Sequence, residues 1–503
     1  MDCILAYDLG TGGVKASLFS ADATCIASTV VEYPTYHRPG GLREQEPADW
    51  WKSIVKATGA LTAQLAEKNI SAEIAAIGLS GHSLGAVAVD RDGNLLDRYT
   101  PIWSDERAEQ VAKPFLDTAG ERDWYYATGN GFPPHLYTAF KIMWYKKYNP
   151  ELYDRVYKFL GTKDYINYRL TGVMATDRSY ASGSGVYDLT ARKYREDYLE
   201  IMGISSEKLC EITASHTVIG NLTGSSAREL GLPSGIPVVS GGVDNACMTL
   251  GAGCYEDGDA YASLGTSAWV AASSKTPILN WETRPYVWAH CVDGMFVPNI
   301  GIFASGSALD WVKTTLLEGV CADYNEFFAL AEASAVGANH LFFNPCLAGG
   351  NYMDGSAHIR GCFTGLDLCH TRSDIARATV EGIAYHLRKA WDVLKPNLDT
   401  KELLLVGGGA KNTLARQIYA DIFGIPVVKT DIMRDAASLG AAATAAYGVG
   451  LWKDYSPIKA AHGNRCVTEP DSKRVAQYER LFEIYRYISS CQAHIGDLIR
   501  ETE

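Results

Sequence analysis

A pattern of apolar stretch, tight turn and apolar stretch occurs twice in this chain of 503 residues. The first copy runs from Ile4 to Phe19 around Leu9-Gly10-Thr11, and the second runs from Ala260 to Ala272 around Leu264-Gly265-Thr266. Each turn carries a glycine and a hydroxyl group, which is the shape needed to present backbone N–H groups to a phosphate. The repeat predicts two related lobes that face one nucleotide.

The hydrophobic periodicity around the first turn predicts three short strands, at Ile4 to Asp8, Val14 to Ser20 and Cys25 to Tyr33. A helix is predicted to begin near Pro47, and Ile74 to Leu79 is typical of a buried strand. Strands followed by a helix and another strand favour a mixed α/β sheet over an alternating parallel one.

The second half of the chain shows the same mixture of elements. An amphipathic helix is predicted over Asp374 to Leu394, and a buried strand over Glu402 to Val406 ends at three glycines. Another helix is predicted from Asn412 to Phe423, and a strand that ends in glycines before a helix brings backbone close to a nucleotide. The apolar spacing of Ser472 to Ile499 predicts a final helix that only packs.

Composition narrows the class of protein. Hydrophobic residues make up 47% and charged residues 21%, as in ordinary globular proteins, and the formal charge of −12 argues against nucleic-acid or anionic-membrane partners. The first residues lack the basic and apolar stretches of a secretory signal, so we expect a cytoplasmic protein. Twelve cysteines without a C-x-x-C pair are interpreted as reduced apolar residues, not zinc ligands.

The first turn is a candidate phosphate and metal site. Asp8 lies where a hydrated magnesium ion would need a carboxylate, and the glycines that follow Thr11 allow N–H groups to converge on phosphate oxygens. Lys15 would add a positive charge to the same phosphate. The alternative is a plain hairpin turn with a solvated aspartate.

Three further segments are candidate sites. Asp244 follows a predicted strand at the start of a helical stretch, where it is either an N-cap or a general base for a substrate hydroxyl near a transferable phosphate. Residues 304–307 and 407–412 would contact a base and ribose, although each is also typical of an ordinary turn. The chain has no G-x-x-x-x-G-K-[ST] motif, which argues against a Walker-type NTPase.

Taken together, these motifs resemble the FGGY carbohydrate kinases. The most specific match is Gly361-Cys362-Phe363-Thr364-Gly365-Leu366 followed by Asp374-Ile375 and Ala378-Thr379-Val380-Glu381. The stretch from Phe132-Pro133 to Lys141-Ile142-Met143-Trp144 is similar to the other family signature. The resemblance runs from Ile4 to about Gly450, in the order that the family shows.

The resemblance implies an α/β protein with the actin-like ATPase fold, in which two ribonuclease-H-like lobes surround a central cleft. It divides the chain into an N-terminal lobe at 1–246, a C-terminal nucleotide-binding lobe at 247–450 and a helical extension at 451–503. It also implies ATP and Mg²⁺ as cofactors, a small sugar as the substrate and, as in many members, a possible homodimer.

The resemblance assigns roles to individual residues. Asp244 matches the catalytic base, and together with Asp8 it is expected at the metal. The expected nucleotide contacts are Thr11, Gly12, Gly13, Lys15, Thr266, Gly306, Asp310, Gly408, Gly409 and Asn412. The expected sugar contacts are His82, Ser83, Leu84, Trp103, Asp105, Asp244 and Asn245.

The sugar loop is where this chain departs from the family. Ser80 to Gly85 is most similar to the xylulokinase loop Gly-Gln-Met-His-Gly, but Ser83 and Leu84 replace its Met and His, and His82 stands one to two positions early. The alternative for His82 is a capping residue. The stretch Trp103-Ser104-Asp105-Glu106-Arg107 still resembles the xylulokinase Trp-Asn-Asp-x-Arg.

The predicted activity is transfer of the ATP γ-phosphate to a ketopentose such as D-xylulose. Gluconate, a tetritol, a hexulose and ribulose fit the same phosphate machinery and stay open. Two other classes also stay open, namely an actin- or chaperone-like ATPase switch and a catalytically silent sugar sensor. Sugar-stimulated ADP release separates the kinase from both.

Overall fold

Two seven-stranded sheets with the same core topology form the centres of two lobes. The computed structural model describes residues 1–431 and 435–502. In the first sheet, Asp2–Leu9, Gly13–Ser20 and Cys25–Glu32 pair antiparallel, Glu73–Gly81 pairs parallel with Asp2–Leu9, and Pro237–Val239 pairs parallel with Glu73–Gly81. The three strands predicted around the first turn are thereby confirmed.

The second sheet repeats this order. Ala260–Leu264, Ala268–Ala272 and Phe296–Ile302 pair antiparallel, and Leu403–Val406 and Val427–Lys429 continue the sheet in parallel. The remaining strands of the two sheets are Val218–Asn221 and Gly242–Val243 in the first, and Tyr286–Ala289 and Cys466–Thr468 in the second. The repeated order confirms the prediction of two related α/β lobes.

The long helices lie close to the predicted positions, and their sequences explain their ends. Pro47–Glu67 begins with proline, whose missing N–H would have no helical partner there. Arg372–Leu394 begins two residues before the prediction because the N–H and hydroxyl of Thr371 donate to Asp374 Oδ2 at 2.7 and 2.8 Å. The other two are Thr413–Phe423 and Ser472–Glu501.

Two helices connect the lobes. The first interlobe helix, Asp244–Gly251, follows the first sheet in the chain and packs against strands of both sheets. The second interlobe helix, Ala436–Gly448, follows the second sheet yet covers the first, where Ala441 and Ala445 share a core with Ile4. The two helices also pack directly against each other. The first lobe therefore holds a helix supplied by the second half of the chain.

Smaller elements decorate this core. The further helices are Glu109–Ala119, Glu121–Thr128, Thr138–Tyr148, Pro150–Arg155, Thr162–Thr171, Arg178–Ala181, Glu196–Met202, Gly224–Leu230, Gly306–Trp311, Tyr324–Glu332 and Ser456–Ala461. The short strands outside the two sheets are Tyr36–Arg38, Leu42–Gln45, Val87–Val89, Thr100–Pro101, Lys158–Leu160, Ala175–Asp177, Tyr187–Asp188, Lys193–Tyr194, Glu211–Thr213, Phe342–Asn344 and Cys362–Thr364. Among the helices that the structure describes, none has the length and hydropathy to span a bilayer.

The segment after residue 450 contributes to the second lobe. Cys466–Thr468 extends the second sheet as an edge strand, and Ser472–Glu501 packs against Arg372–Leu394 and Thr413–Phe423. The division of the chain at 246 and 450 stays a prediction, and residue 503 lies outside the described residues.

Candidate active site

A cleft of about 390 Å³ lies where the two turns and the first interlobe helix meet. It is lined by Asp8, Gly10, Thr11, Ser83, Leu84, Trp103, Phe132, Asp244, Asn245, Met248, Trp269 and Ala437. Seven of the predicted site residues are in this lining, from the metal, phosphate and sugar groups alike. The cleft therefore brings the predicted catalytic acid, turn and sugar loop together.

The first turn is held in one shape by its neighbours. Ser80 Oγ on the adjacent parallel strand donates to Asp8 Oδ1 at 2.8 Å. The Gln45 side chain donates to the Thr11 carbonyl at 2.6 Å, and the Trp103 indole donates to Thr11 Oγ1 at 3.0 Å. A side chain at Gly13 would place its Cβ 2.7 Å from the Val31 carbonyl, so this position accepts only glycine. The turn is thus preorganised, with its backbone facing the cleft.

Asp8 and Asp244 influence each other's charge. Burial raises the pKa of Asp244 to about 7, and the negative charge of Asp8 acts in the same direction, against two opposing hydrogen bonds from Asn245. Those bonds come from the backbone N–H at 2.8 Å and the side-chain amide at 3.1 Å, both to Oδ1. Burial also raises the pKa of Asp8, opposed by Ser80 and by the charge of Lys15. Asp244 is therefore poised to accept a proton near neutral pH.

A buried ionic cluster holds the backbone before Asp244. Val243 N donates to Ser179 Oγ at 2.9 Å, and Ser179 in turn donates to Asp177, which pairs with Lys163 at 2.9 Å. Gly241 has φ +73°, and a Cβ there would lie 2.0 Å from the Leu79 carbonyl. This cluster was not predicted from the sequence because its members come from separate segments.

The Asp244 side chain does not act as the N-cap of its helix. The N-cap of its helix is Val243, and the Asp244 side chain accepts hydrogen bonds only from Asn245 among the described residues. One carboxylate oxygen is thus fixed by Asn245, which leaves Oδ2 for a ligand in the cleft. The position fits a general base better than a structural cap.

The nucleotide-side residues gather around the second turn. Gly306 N donates to the Gly265 carbonyl at 2.9 Å, and a Cβ at Gly306 would lie 2.6 Å from that oxygen. The Thr266 carbonyl accepts from the backbone N–H groups of Ser305 and Ser307 at 3.0 Å. A small apolar cavity of about 60 Å³ opens beside this contact. It is lined by Leu264, Gly265, Ser305, Gly306, Leu309, Phe328, Val380, Ile383, Gly409, Ala415 and Tyr419.

Three other predicted nucleotide-binding residues lie in the second lobe. Gly408 is exposed on the same loop as Gly409. Asn412 Oδ1 caps the following helix by accepting from Ala415 N at 3.1 Å. Asp310 is exposed on a short helix and accepts from the Tyr324 hydroxyl at 3.1 Å. Their nucleotide contacts stay predictions.

His82, Asp105 and Lys15 are among the predicted site residues that lie outside the cleft lining. His82 is buried against the edge of Trp50, with its Nδ1 3.3 Å from Thr162 Oγ1, and burial lowers its pKa to about 4. Asp105 is fully buried, and Arg107 Nε donates to it at 2.7 Å. Lys15 forms an ion pair with Asp435 at the start of the second interlobe helix.

The aromatic wall of the cleft was not predicted from the sequence. Phe132 stacks on Tyr286 with ring centroids 3.8 Å apart, and the Trp269 indole donates to the Tyr261 hydroxyl at 3.0 Å. Phe132 belongs to a segment that was noted only for its family resemblance, and Trp269 lies three residues after Thr266. Its place on the strand Ala268–Ala272, directly after the second turn, was the available signal for a second-lobe side chain near the cleft.

Comparison with known proteins identifies the family of this chain. Residues 3–251 match the model of the FGGY family of carbohydrate kinases, N-terminal domain, and residues 260–449 match its C-terminal domain. A Staphylococcus epidermidis protein named xylulose kinase is 31% identical over 491 residues, which cover 97% of this chain and 96% of the relative.

Solved structures share the whole architecture. A ligand-bound xylulose kinase from Lactobacillus acidophilus superposes with a TM-score of 0.90 at 25% identity, over 98% of this chain and 99% of the other. A gluconate kinase from the same organism gives a TM-score of 0.90 at 26% identity, over 98% of each chain. The chain belongs to the FGGY family of carbohydrate kinases and is a phosphotransferase that acts on a sugar hydroxyl group.

Proposed function

We propose that this kinase phosphorylates a neutral ketopentose such as D-xylulose. The observation that carries the proposal is the charge of the cleft, because Asp8 and Asp244 face it and none of the described lining residues is Lys or Arg. An anionic aldonate would bring a third negative charge into this partly buried space, and the lining offers no Lys or Arg side chain to bind it. The relative named xylulose kinase supports the same choice.

The cleft walls suit a small polyhydroxy ketone. Trp103, Phe132 and Trp269 offer apolar faces for the C–H side of a sugar, and Ser83 and Asn245 offer hydrogen-bonding groups. The Trp103 side chain is 39% exposed, so its ring is available to a ligand. His82 and Asp105 act on the sugar only through the backbone that they support.

Asp8 would hold a divalent metal ion near Asp244, and we propose that this ion is Mg²⁺, while Asp244 keeps Oδ2 for the substrate proton. Carboxylate oxygens are the ligands that Mg²⁺ prefers, and the mutual electrostatic effect of Asp8 and Asp244 is the kind that a cation relieves. Ser80 fixes Asp8 Oδ1 and leaves the other oxygen for a ligand. Bound magnesium would neutralise charge on the phosphates of ATP, the phosphate donor of sugar kinases.

In the proposed reaction, Asp244 Oδ2 takes the proton of the sugar hydroxyl as that oxygen attacks the γ-phosphorus. The new bond joins the sugar oxygen to phosphorus, and the bond from phosphorus to the bridging oxygen of ADP breaks. Backbone N–H groups of residues 11–13 face the phosphates, while Gly265, Gly306 and Gly409 hold the nucleotide from the second lobe. Closure of the lobes excludes water from the reacting groups.

A coupled assay of ADP release tests the proposal with D-xylulose, D-ribulose, a hexulose, a tetritol and gluconate. We expect D-xylulose to give the highest kcat/KM and Asp244→Ala to abolish its phosphorylation while ATP binding persists. Asp399→Ala, at a carboxylate that is 86% exposed, is the control and should keep wild-type turnover.

Other outcomes would contradict the proposal. ADP release that no sugar stimulates would instead indicate an ATPase switch, and ADP release that is absent with every sugar would indicate a sensor. A preference for gluconate would refute the charge argument. Wild-type turnover in Asp244→Ala would refute the role of Asp244.

A further inference from the structure

A buried lysine lies directly behind the sugar side of the cleft. Lys141, on the helix Thr138–Tyr148, is fully buried, and its ammonium group donates three hydrogen bonds to backbone carbonyl oxygens. The acceptors are Leu84 at 2.9 Å, Ile102 at 2.7 Å and Leu136 at 2.7 Å. Because an ammonium group has three N–H donors, all of its hydrogen-bonding capacity is used.

The three carbonyls belong to the three segments that form the sugar side. Leu84 itself lines the cleft, Ile102 directly precedes Trp103, and Leu136 ends a short 3-10 turn that follows Phe132. These segments are separate in the chain, and the ammonium group of Lys141 bonds to all three of them. The proposed mechanism leaves Lys141 without a role, although its segment was noted in the sequence.

The backbone at Leu84 needs such support. Leu84 has φ +62°, the left-handed region that a leucine rarely adopts, and this conformation turns its side chain into the cleft wall. A hydrogen bond from a charged donor to the Leu84 carbonyl opposes relaxation of that strain. Trp103 is tied to the phosphate turn in addition, through Thr11.

We propose that Lys141 is a positioning residue for the sugar, which clamps the Leu84, Trp103 and Phe132 segments so that they form one binding wall. This inference rests on the proposed sugar kinase activity. It predicts that loss of the ammonium group weakens sugar binding while the nucleotide side, which Lys141 does not touch, keeps its affinity.

The clamp should also depend on pH. Burial lowers the pKa of Lys141 to about 7, with the charge of Arg107 acting in the same direction and that of Asp105 opposing. Of the histidines nearby, burial lowers the pKa of His82 to about 4 and that of His135 below its usual value, so both are neutral near pH 7. Above pH 7 the neutral amine keeps two N–H donors for three carbonyls, so sugar KM should rise with pH.

The test compares Lys141→Met, Lys141→Arg and the control Lys147→Met, an exposed lysine on the same helix. We expect Lys141→Met to raise sugar KM about tenfold or more, since a charged hydrogen-bond donor is lost, with ATP KM within about twofold of wild type. Lys147→Met should leave both constants unchanged. Equal rises in sugar and ATP KM for Lys141→Met would overturn the proposal.

The pH profile keeps the proposal testable if Lys141→Met does not fold. Sugar affinity of the wild-type protein, followed by tryptophan fluorescence without ATP, should fall above about pH 7, whereas Lys141→Arg, which stays charged, should lose this pH dependence. The same pH dependence in both proteins would refute it. If no sugar stimulates wild-type ADP release, the proposed function fails; stimulated release with an unchanged sugar KM in Lys141→Met overturns the clamp alone.

Discussion

The contact between the two interlobe helices is tight enough to be tested with one methyl group. In Gly440→Ala the new Cβ would lie 1.9 Å from the Cys247 carbonyl oxygen and 2.6 Å from its carbon. Both atoms are backbone, so no side-chain rotation relieves the clash. Restoring an ordinary contact requires the helices to part by about 1.5 Å, and overpacking of this kind costs about 1–3 kcal/mol.

A matched substitution separates this clash from the general effect of alanine in a helix. Gly59 lies inside the helix Pro47–Glu67, and a Cβ added there would have no atom within 4 Å, so Gly59→Ala should gain about 0.5–1 kcal/mol. Urea unfolding of both variants against wild type measures the difference. We expect the midpoint to fall for Gly440→Ala and to rise for Gly59→Ala. Equal shifts in one direction would refute the packing described for the interlobe helices.

Three further predictions concern the site and its support. Asp8→Asn should shift the rising limb of the kcat pH profile below about 7, because it removes a charge that raises the pKa of Asp244, and an unmoved limb would contradict their coupling. Trp103→Phe, which loses the bond to Thr11, should raise sugar KM severalfold in steady-state assays, and an unchanged KM would show that this bond does not position the ring for the sugar. Lys163→Met should destabilise the protein by about 3–5 kcal/mol in urea unfolding by leaving buried carboxylates unpaired, and a loss near zero would contradict that burial.

Local patterns revealed the two lobes because strand, turn and strand lie together in the sequence. The same holds for Asp244, whose place between a strand and a helix is a local feature. Asp105 as a sugar contact stays a prediction, but its pairing with Arg107 shows the limit of such reasoning, because the sequence pattern did not predict this partner. Partners of this kind are decided by tertiary packing, which short motifs do not encode.

The packing position of the second interlobe helix was likewise not predictable from the sequence. The Ala-rich helix Ala436–Gly448 is apolar nearly all round, so its composition predicts burial but not which sheet it covers. The alanines and Gly440 admit close backbone approach on several sides. Only the fold shows that one face meets the first sheet and another meets the helix Asp244–Gly251.

The second interlobe helix determines when the first lobe can finish folding during synthesis on the ribosome. The first sheet receives its last strands by Gly242–Val243, but its cover, Ala436–Gly448, is synthesised nearly two hundred residues later. At 5–20 residues per second this leaves about 10–40 s in which an apolar sheet face has no permanent partner. A fragment that stops at residue 251 would leave that sheet face permanently uncovered. We therefore expect such a fragment to aggregate when expressed alone and to become soluble when 252–503 is supplied with it.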